Sequence, residues 1–205
     1  VAGALYEAGY GSSSRLYENA DSWLGMTPAS YARGGKGAVM NYVITDCPLG
    51  RMIVAATERG ISFLGFGDDD EMLVTELKGD FPNAEIGPDD GMMAAWIKMI
   101  MDDFDHHVPR ADLPLDVRGT AFQARVWQAL CDIAPGQTMT YGEIAESLGK
   151  PKAARAVGRA CATNPVSLIV PCHRPVGSSG SLTGYRWGVP RKRKLLETER
   201  QTGEG

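Results

Sequence analysis

The chain contains no C-x-x-C pair; its four cysteines, Cys47, Cys131, Cys161 and Cys172, are scattered. That spacing argues against a disulfide scaffold or a zinc knuckle, and reduced thiols in a cytoplasmic protein are expected. No uninterrupted apolar run approaches the roughly eighteen residues of a membrane span, and no basic stretch precedes an apolar one at the start. Neither a membrane partner nor a signal peptide is therefore expected. His106-His107 and Cys47 match no known ligand spacing, so these histidines read as solvated helix-end residues. No metal and no other cofactor is expected. With 205 residues, 43% of them hydrophobic, the chain can build one or two real cores. It opens on Val1, within what reads as a helix, and is taken as part of something longer.

Acidic and basic residues are segregated. Between Phe66 and Asp116 there are fourteen acids against three bases, Lys78, Lys98 and Arg110; between Gly136 and Lys194 there are ten Lys and Arg against two acids, Glu143 and Glu146. A basic half can hold phosphate even when the whole chain carries a net charge of −4. Such asymmetry also arises from solubility alone, so a motif must decide.

Three segments are expected. Residues 1–36 hold two helical patterns around the Gly11-Ser12-Ser13-Ser14 turn, with Thr27 capping and Pro28 opening a third short helix. Residues 38–114 begin with β-rich runs at Met40–Asp46, Arg51–Thr57 and Ile61–Phe66, split by Pro48-Leu49-Gly50 and Glu58-Arg59-Gly60. These predict an antiparallel meander. Helices follow over Asp68–Leu77 and Asp90–His107, with acids at both N-termini and Ala94, Ile97, Met101 and Phe104 on one face of the second. Residues 115–202 read as an all-helical domain with capping boxes at Thr120-x-x-Gln123 and Thr140-x-x-Glu143. Pro151 opens a helix over Lys152–Ala162, in which small residues such as Ala154 alternate with Arg155 and Arg159. Together with Tyr141–Leu148 it makes a helix-turn-helix whose slim second helix suits close approach to a minor groove.

After that helix comes Asn164-Pro165-Val166-Ser167-Leu168-Ile169-Val170-Pro171-Cys172-His173-Arg174. A thiol titrates near about 8.5 and only its thiolate attacks, so Cys172 needs a proton acceptor and positive surroundings. His173 can take the proton. Glu199, at the end of the basic helix Arg191–Glu199, can return to fix the imidazole, whereas Glu197 points to another face. Cys131 and Cys161 read as core thiols, and Arg191–Lys194 as a solvated or phosphate-facing edge.

NPVSLIVPCHR, continued by GSLTGYRWGVPRKRKLLETE, resembles the active-site region of the O6-alkylguanine-DNA alkyltransferases, and the likeness spans Met40 to about Arg200. The stretch GYGSSSRLYENADSWLGMTPASYARGG resembles the second helix-turn-helix of AraC-type regulators. The two together resemble the C-terminal part of the Ada-type bifunctional regulators, with operator binding by this piece expected to be crippled. The resemblance implies an α+β fold, a small RNase H-like α/β subdomain followed by the helix-turn-helix alkyltransferase domain. It implies irreversible, single-turnover transfer of an alkyl group from guanine O6, in double-stranded DNA, to Cys172, by a monomer.

Residue roles follow from the same resemblance. Cys172, His173 and Glu199 form a relay through water. Asn164 braces the turn before the active-site strand. Tyr141 crowds the 3′ phosphate and protonates the departing guanine, and Arg155 fills the vacated stack. Ala154 and Arg159 lie on the same DNA-facing helix. Tyr185 closes the guanine pocket, while backbone groups around Cys172, Pro175 and Arg186 read the base edge. Pro175 stands where the family usually has valine, and Thr183 where a smaller residue is common. Two other classes remain open at this point: a DNA-binding regulator with an idle Cys172, and a cysteine hydrolase.

Overall fold

The structure, a computed structural model, describes residues 35, 37–106, 113–117 and 119–202, apart from the side chains of residues 103, 105, 106 and 202. The expected AraC-like segment, except Gly35, and the side chains of His106 and His107 lie outside the described residues.

Strands β1 (Val39–Cys47), β2 (Gly50–Thr57) and β3 (Gly60–Gly67) form the expected antiparallel meander. Gly50 (φ 106°) and Gly60 (φ 149°) close its turns in a region that L side chains avoid. A Cβ on Gly60 would also lie 2.3 Å from the Pro114 carbonyl oxygen. Helix α1 (Asp70–Asp80) follows, capped by Asp69, whose carboxylate accepts from Met72 N. Then comes β4 (Glu85–Pro88), which the sequence reading missed. It pairs parallel to β1, giving the order β3-β2-β1-β4, so the sheet is mixed rather than purely antiparallel. Pro88 is tolerable because β4 is an edge.

Helix α2 spans Ala94–His106, later than expected, and has no acid in its first turn. The Asp89 carboxylate instead accepts from Gly91 N and Met93 N in the preceding turn. Ala94 is exposed, so the buried face is carried by Met93, Ile100 and Phe104, with Ile97 and Met101 half-buried.

Strand β3 is almost wholly buried because both of its faces are covered. Phe66 meets Phe104 of α2 edge-on at 6.3 Å, while Phe63, one face over, meets Trp187 at 6.0 Å and Phe81 at 6.4 Å. Its free edge is covered too. Ile61 exchanges backbone hydrogen bonds with the 114–116 segment, and Leu64 does so with Pro165 and Ser167.

The C-terminal half carries α3 (Ala121–Cys131), α4 (Tyr141–Ser147), a 3₁₀ turn (Pro151–Ala153), α5 (Ala154–Ala162) and α6 (Val189–Thr202). Both capping boxes form, each satisfying two helix-end amides. Gly149 (φ 72°) ends α4. Trp127 of α3 donates from its indole to the Ala160 carbonyl at 3.0 Å, locking α3 onto α5. The half is not all-helical: β5 (Met139–Thr140) and β6 (Pro175–Val176) form a two-residue parallel ladder.

Candidate active site

The segment leaving α5 is held by one side chain. Asn164 is buried; its amide oxygen accepts from Val166 N at 3.1 Å, and its NH2 donates to the Val170 carbonyl at 2.9 Å. These bonds close a loop in which Leu168 takes a left-handed backbone (φ 73°), a strained conformation for a branched apolar residue. The loop delivers Cys172, whose backbone N–H donates to the Val170 carbonyl.

Cys172 and His173 are both buried, and Glu199 reaches His173 from α6. Nε2 of His173 lies 2.7 Å from Oε1 of Glu199. The same carboxylate accepts from Arg174 Nη2 at 2.9 Å and, through Oε2, from Gly136 N at 3.0 Å. Burial alone would raise the Glu199 carboxyl, but the bonds and charges of His173 and Arg174 outweigh it and hold the group well below the usual carboxylate range. An ionised carboxylate can only accept, so Nε2 carries the hydrogen and Nδ1 is the basic nitrogen of the neutral ring. Burial pushes the Cys172 thiol up, while hydrogen bonds from Asn164 and Ser167 and the charge of Lys192 pull it down.

Cys172 borders a cavity of about 450 Å³. Gly158, Cys161 and Ala162 of α5 form one wall, Thr183 to Arg186 the other, and Tyr141 also lines it. Tyr141 donates its hydroxyl hydrogen to the Thr183 carbonyl at 3.1 Å. Burial, reinforced by the nearby thiols of Cys161 and Cys172, pushes its phenol up to about 12, so it stays protonated at neutral pH. Cys161 lines the cavity as well, and burial pushes its thiol far up.

The structure thus brings Cys172, Tyr141, Tyr185 and Arg186 to one cavity, with His173, Glu199 and Asn164 packed behind. Arg186 also pairs with Asp80 at 2.8 Å and covers the Trp187 ring at 4.8 Å. Pro175 does not line the cavity: it sits in the β5–β6 ladder, and its carbonyl accepts from Lys192. Arg155 and Arg159 are exposed on α5, and Ala154 is half-buried beside them.

The reading of Arg191–Lys194 as a solvated or phosphate-facing edge is corrected at Lys192 and in part at Arg191, whereas Arg193 and Lys194 are exposed. Lys192 is fully buried and donates to the carbonyls of Pro175, Thr183 and Gly184. Arg191 donates to the carbonyls of Leu49 and Trp187 and pairs with Asp68; Lys194 reaches the Pro48 carbonyl. A signal for Lys192 existed: with Leu195, Leu196 and Glu199 it falls at i, i+3, i+4 and i+7 on the face that α6 buries.

Among the described residues no helix is long and apolar enough to cross a membrane, and no His/Cys/Asp/Glu group could hold a metal.

Comparison with known proteins gives a consistent picture. The family description "6-O-methylguanine DNA methyltransferase, ribonuclease-like domain" matches residues 40–106, and its "DNA binding domain" counterpart matches residues 121–201. The chain is 45% identical over 204 residues to the Escherichia coli bifunctional transcriptional activator/DNA repair enzyme Ada, covering all of this chain and 58% of that protein. It is 38% identical to a methylated-DNA–protein-cysteine methyltransferase of Methanosarcina acetivorans, over 78% of this chain and 98% of the relative. The crystal structure of the Mycobacterium tuberculosis O6-methylguanine methyltransferase superposes with a TM-score of 0.66 at 37% identity, covering 80% of this chain and 94% of the other. A structure of M. tuberculosis OGT in complex with DNA superposes with a TM-score of 0.65.

Proposed function

The chain belongs to the 6-O-methylguanine DNA methyltransferase family, and on that premise we propose that it repairs DNA by taking an alkyl group from guanine O6 onto Cys172. The observation that carries this reading is a cysteine bordering a cavity, with a histidine beside it whose far nitrogen is fixed by a saturated carboxylate. The Cys172 proton passes, through water, to Nδ1 of His173, and Glu199 stabilises the imidazolium that forms. The thiolate attacks the alkyl carbon; a C–S bond forms, the C–O6 bond breaks, and its electron pair stays on the guanine. Tyr141 leaves the Thr183 carbonyl and donates its proton to the departing base. The product is a thioether, which water does not cleave, so each molecule acts once.

Chemistry on a stacked base requires that the nucleotide be flipped out. We assign α5 to the duplex: Arg155 fills the vacated stack, Ala154 allows close approach, and Arg159 meets phosphate. Tyr185 closes the pocket over the extruded guanine, and the protein acts as a monomer. Because the chain spans little more than half of Ada, regulation by residues 1–36 within a larger Ada-type protein is likewise a proposal.

The test is duplex DNA carrying radiolabelled O6-methylguanine. One equivalent of label on the Cys172 peptide is expected, with none in Cys172→Ala, which still binds DNA. Binding without label would leave a DNA-binding regulator, and catalytic release of label a hydrolase. A second expected result isolates the finger. Arg155→Ala should slow repair in duplex at least tenfold yet leave the reaction with free O6-benzylguanine nearly unchanged; equal losses on both substrates would remove that role.

A further inference from the structure

Ser167 is fully buried, and its Oγ lies 3.7 Å from Sγ of Cys172. The indole N–H of Trp187 donates to that same oxygen at 2.6 Å. An indole nitrogen can only donate, so one lone pair of Ser167 is committed and its own hydrogen remains to be placed. A thiolate, for its part, can only accept. When Cys172 loses its proton, the Ser167–Cys172 contact therefore has one consistent polarity, with the hydroxyl donating to sulfur. A hydrogen bond to an ion is worth roughly twice a neutral one, so the contact favours the charged state.

We propose that Ser167 is a hydroxyl donor to the Cys172 thiolate, and that Trp187 is the positioning residue which holds it there. The inference rests on the reading of Cys172 as the nucleophile and adds a group to that site. Trp187 is held tightly enough for this. Its ring lies against Gly65 of β3, where a Cβ would come within 2.4 Å of it, with the edge of Phe63 and the Arg186 guanidinium on other sides. The Ser167 backbone is fixed as well, its N–H donating to the Leu64 carbonyl at 3.2 Å. Both ends of the hydroxyl's support thus come from β3. The hydrogen bond from Ser167 is one of the influences that draw the Cys172 thiol down against its burial.

The test follows the rate of iodoacetamide labelling of the Cys172 peptide against pH, beside methyl transfer from O6-methylguanine duplex. In Ser167→Ala the alkaline midpoint of labelling should rise by about one pH unit, with transfer near neutral pH about tenfold slower and recovering as pH rises. Ser167→Thr should restore the parent profile. Trp187→Phe, which keeps a ring but removes the N–H, should shift the midpoint the same way by less. A folded Ser167→Ala with an unshifted midpoint overturns the proposal. So does an unshifted Trp187→Phe where Ser167→Ala does not fold. Absence of transfer in the parent protein would instead defeat the alkyltransferase reading, and the labelling profile distinguishes the two failures.

Discussion

Glu199→Ala is expected to abolish transfer and to cost the fold about 3–5 kcal/mol, the usual penalty for removing one partner of a buried ion pair. The variant leaves Arg174, His173 and the Gly136 amide facing a space with no acceptor. Glu199→Gln separates the two effects. It retains volume and one acceptor oxygen but cannot stabilise an imidazolium, so it should fold and transfer about 10² to 10⁴ times more slowly. The pH dependence has a definite sign. Because the carboxyl is held below its ordinary range in the folded protein, its contribution to stability is fully present above about pH 4.3 and is lost as pH falls toward the folded value. Melting temperature should therefore drop steeply below about pH 4 in the parent and more gently in Glu199→Gln. Parallel curves for the two proteins would contradict the assignment.

The second large effect is expected at Lys192. Its ammonium is the donor shared by the carbonyls of Pro175, Thr183 and Gly184, so it ties β6, the pocket loop and α6 together. It also lies 5.9 Å over the Tyr141 ring. Burial lowers its pKa, but three carbonyls still call for a donor there. Lys192→Ala removes the buried stem and the donor together, and should cost about 2–5 kcal/mol. Lys192→Met fills much of the space without donating. It should recover most of the melting temperature yet keep weaker saturation by free O6-benzylguanine, because the Thr183–Gly184 wall has lost its anchor. If Met restored binding as well as stability, the lysine would be only a space filler.

How much of this was legible in the sequence depended on whether the signal was local. The meander was readable because its glycine turns and β-rich runs stand side by side, and both capping boxes because each is a four-residue device. Cys172 and His173 were readable from one motif, and Glu199 from helix phase. β4 was not: Glu-Ile-Gly-Pro has no strand pattern and becomes a strand only because β1 offers an open edge. The early boundary placed on α2 came from counting Asp90 as a helix-start acid, when the residues before Ala94 form a turn closed by Asp89. Lys192 was misread because a run of four cations suggests water, although the spacing of Leu195 and Leu196 pointed the other way. Ser167 and Trp187 stand twenty residues apart and acquire a joint meaning only when Gly65 brings the indole inward.

The edge of β3 carries a consequence for how reactivity can drift. Leu64 templates the backbone of the nucleophile's own segment, yet neither it nor Gly65 bears a reactive group. A methyl added at position 65 would reposition an indole, then a hydroxyl, then the electron density on sulfur. Variants of this protein can thus be detuned with every residue of the cysteine signature intact, by changes in a strand that does not line the cavity.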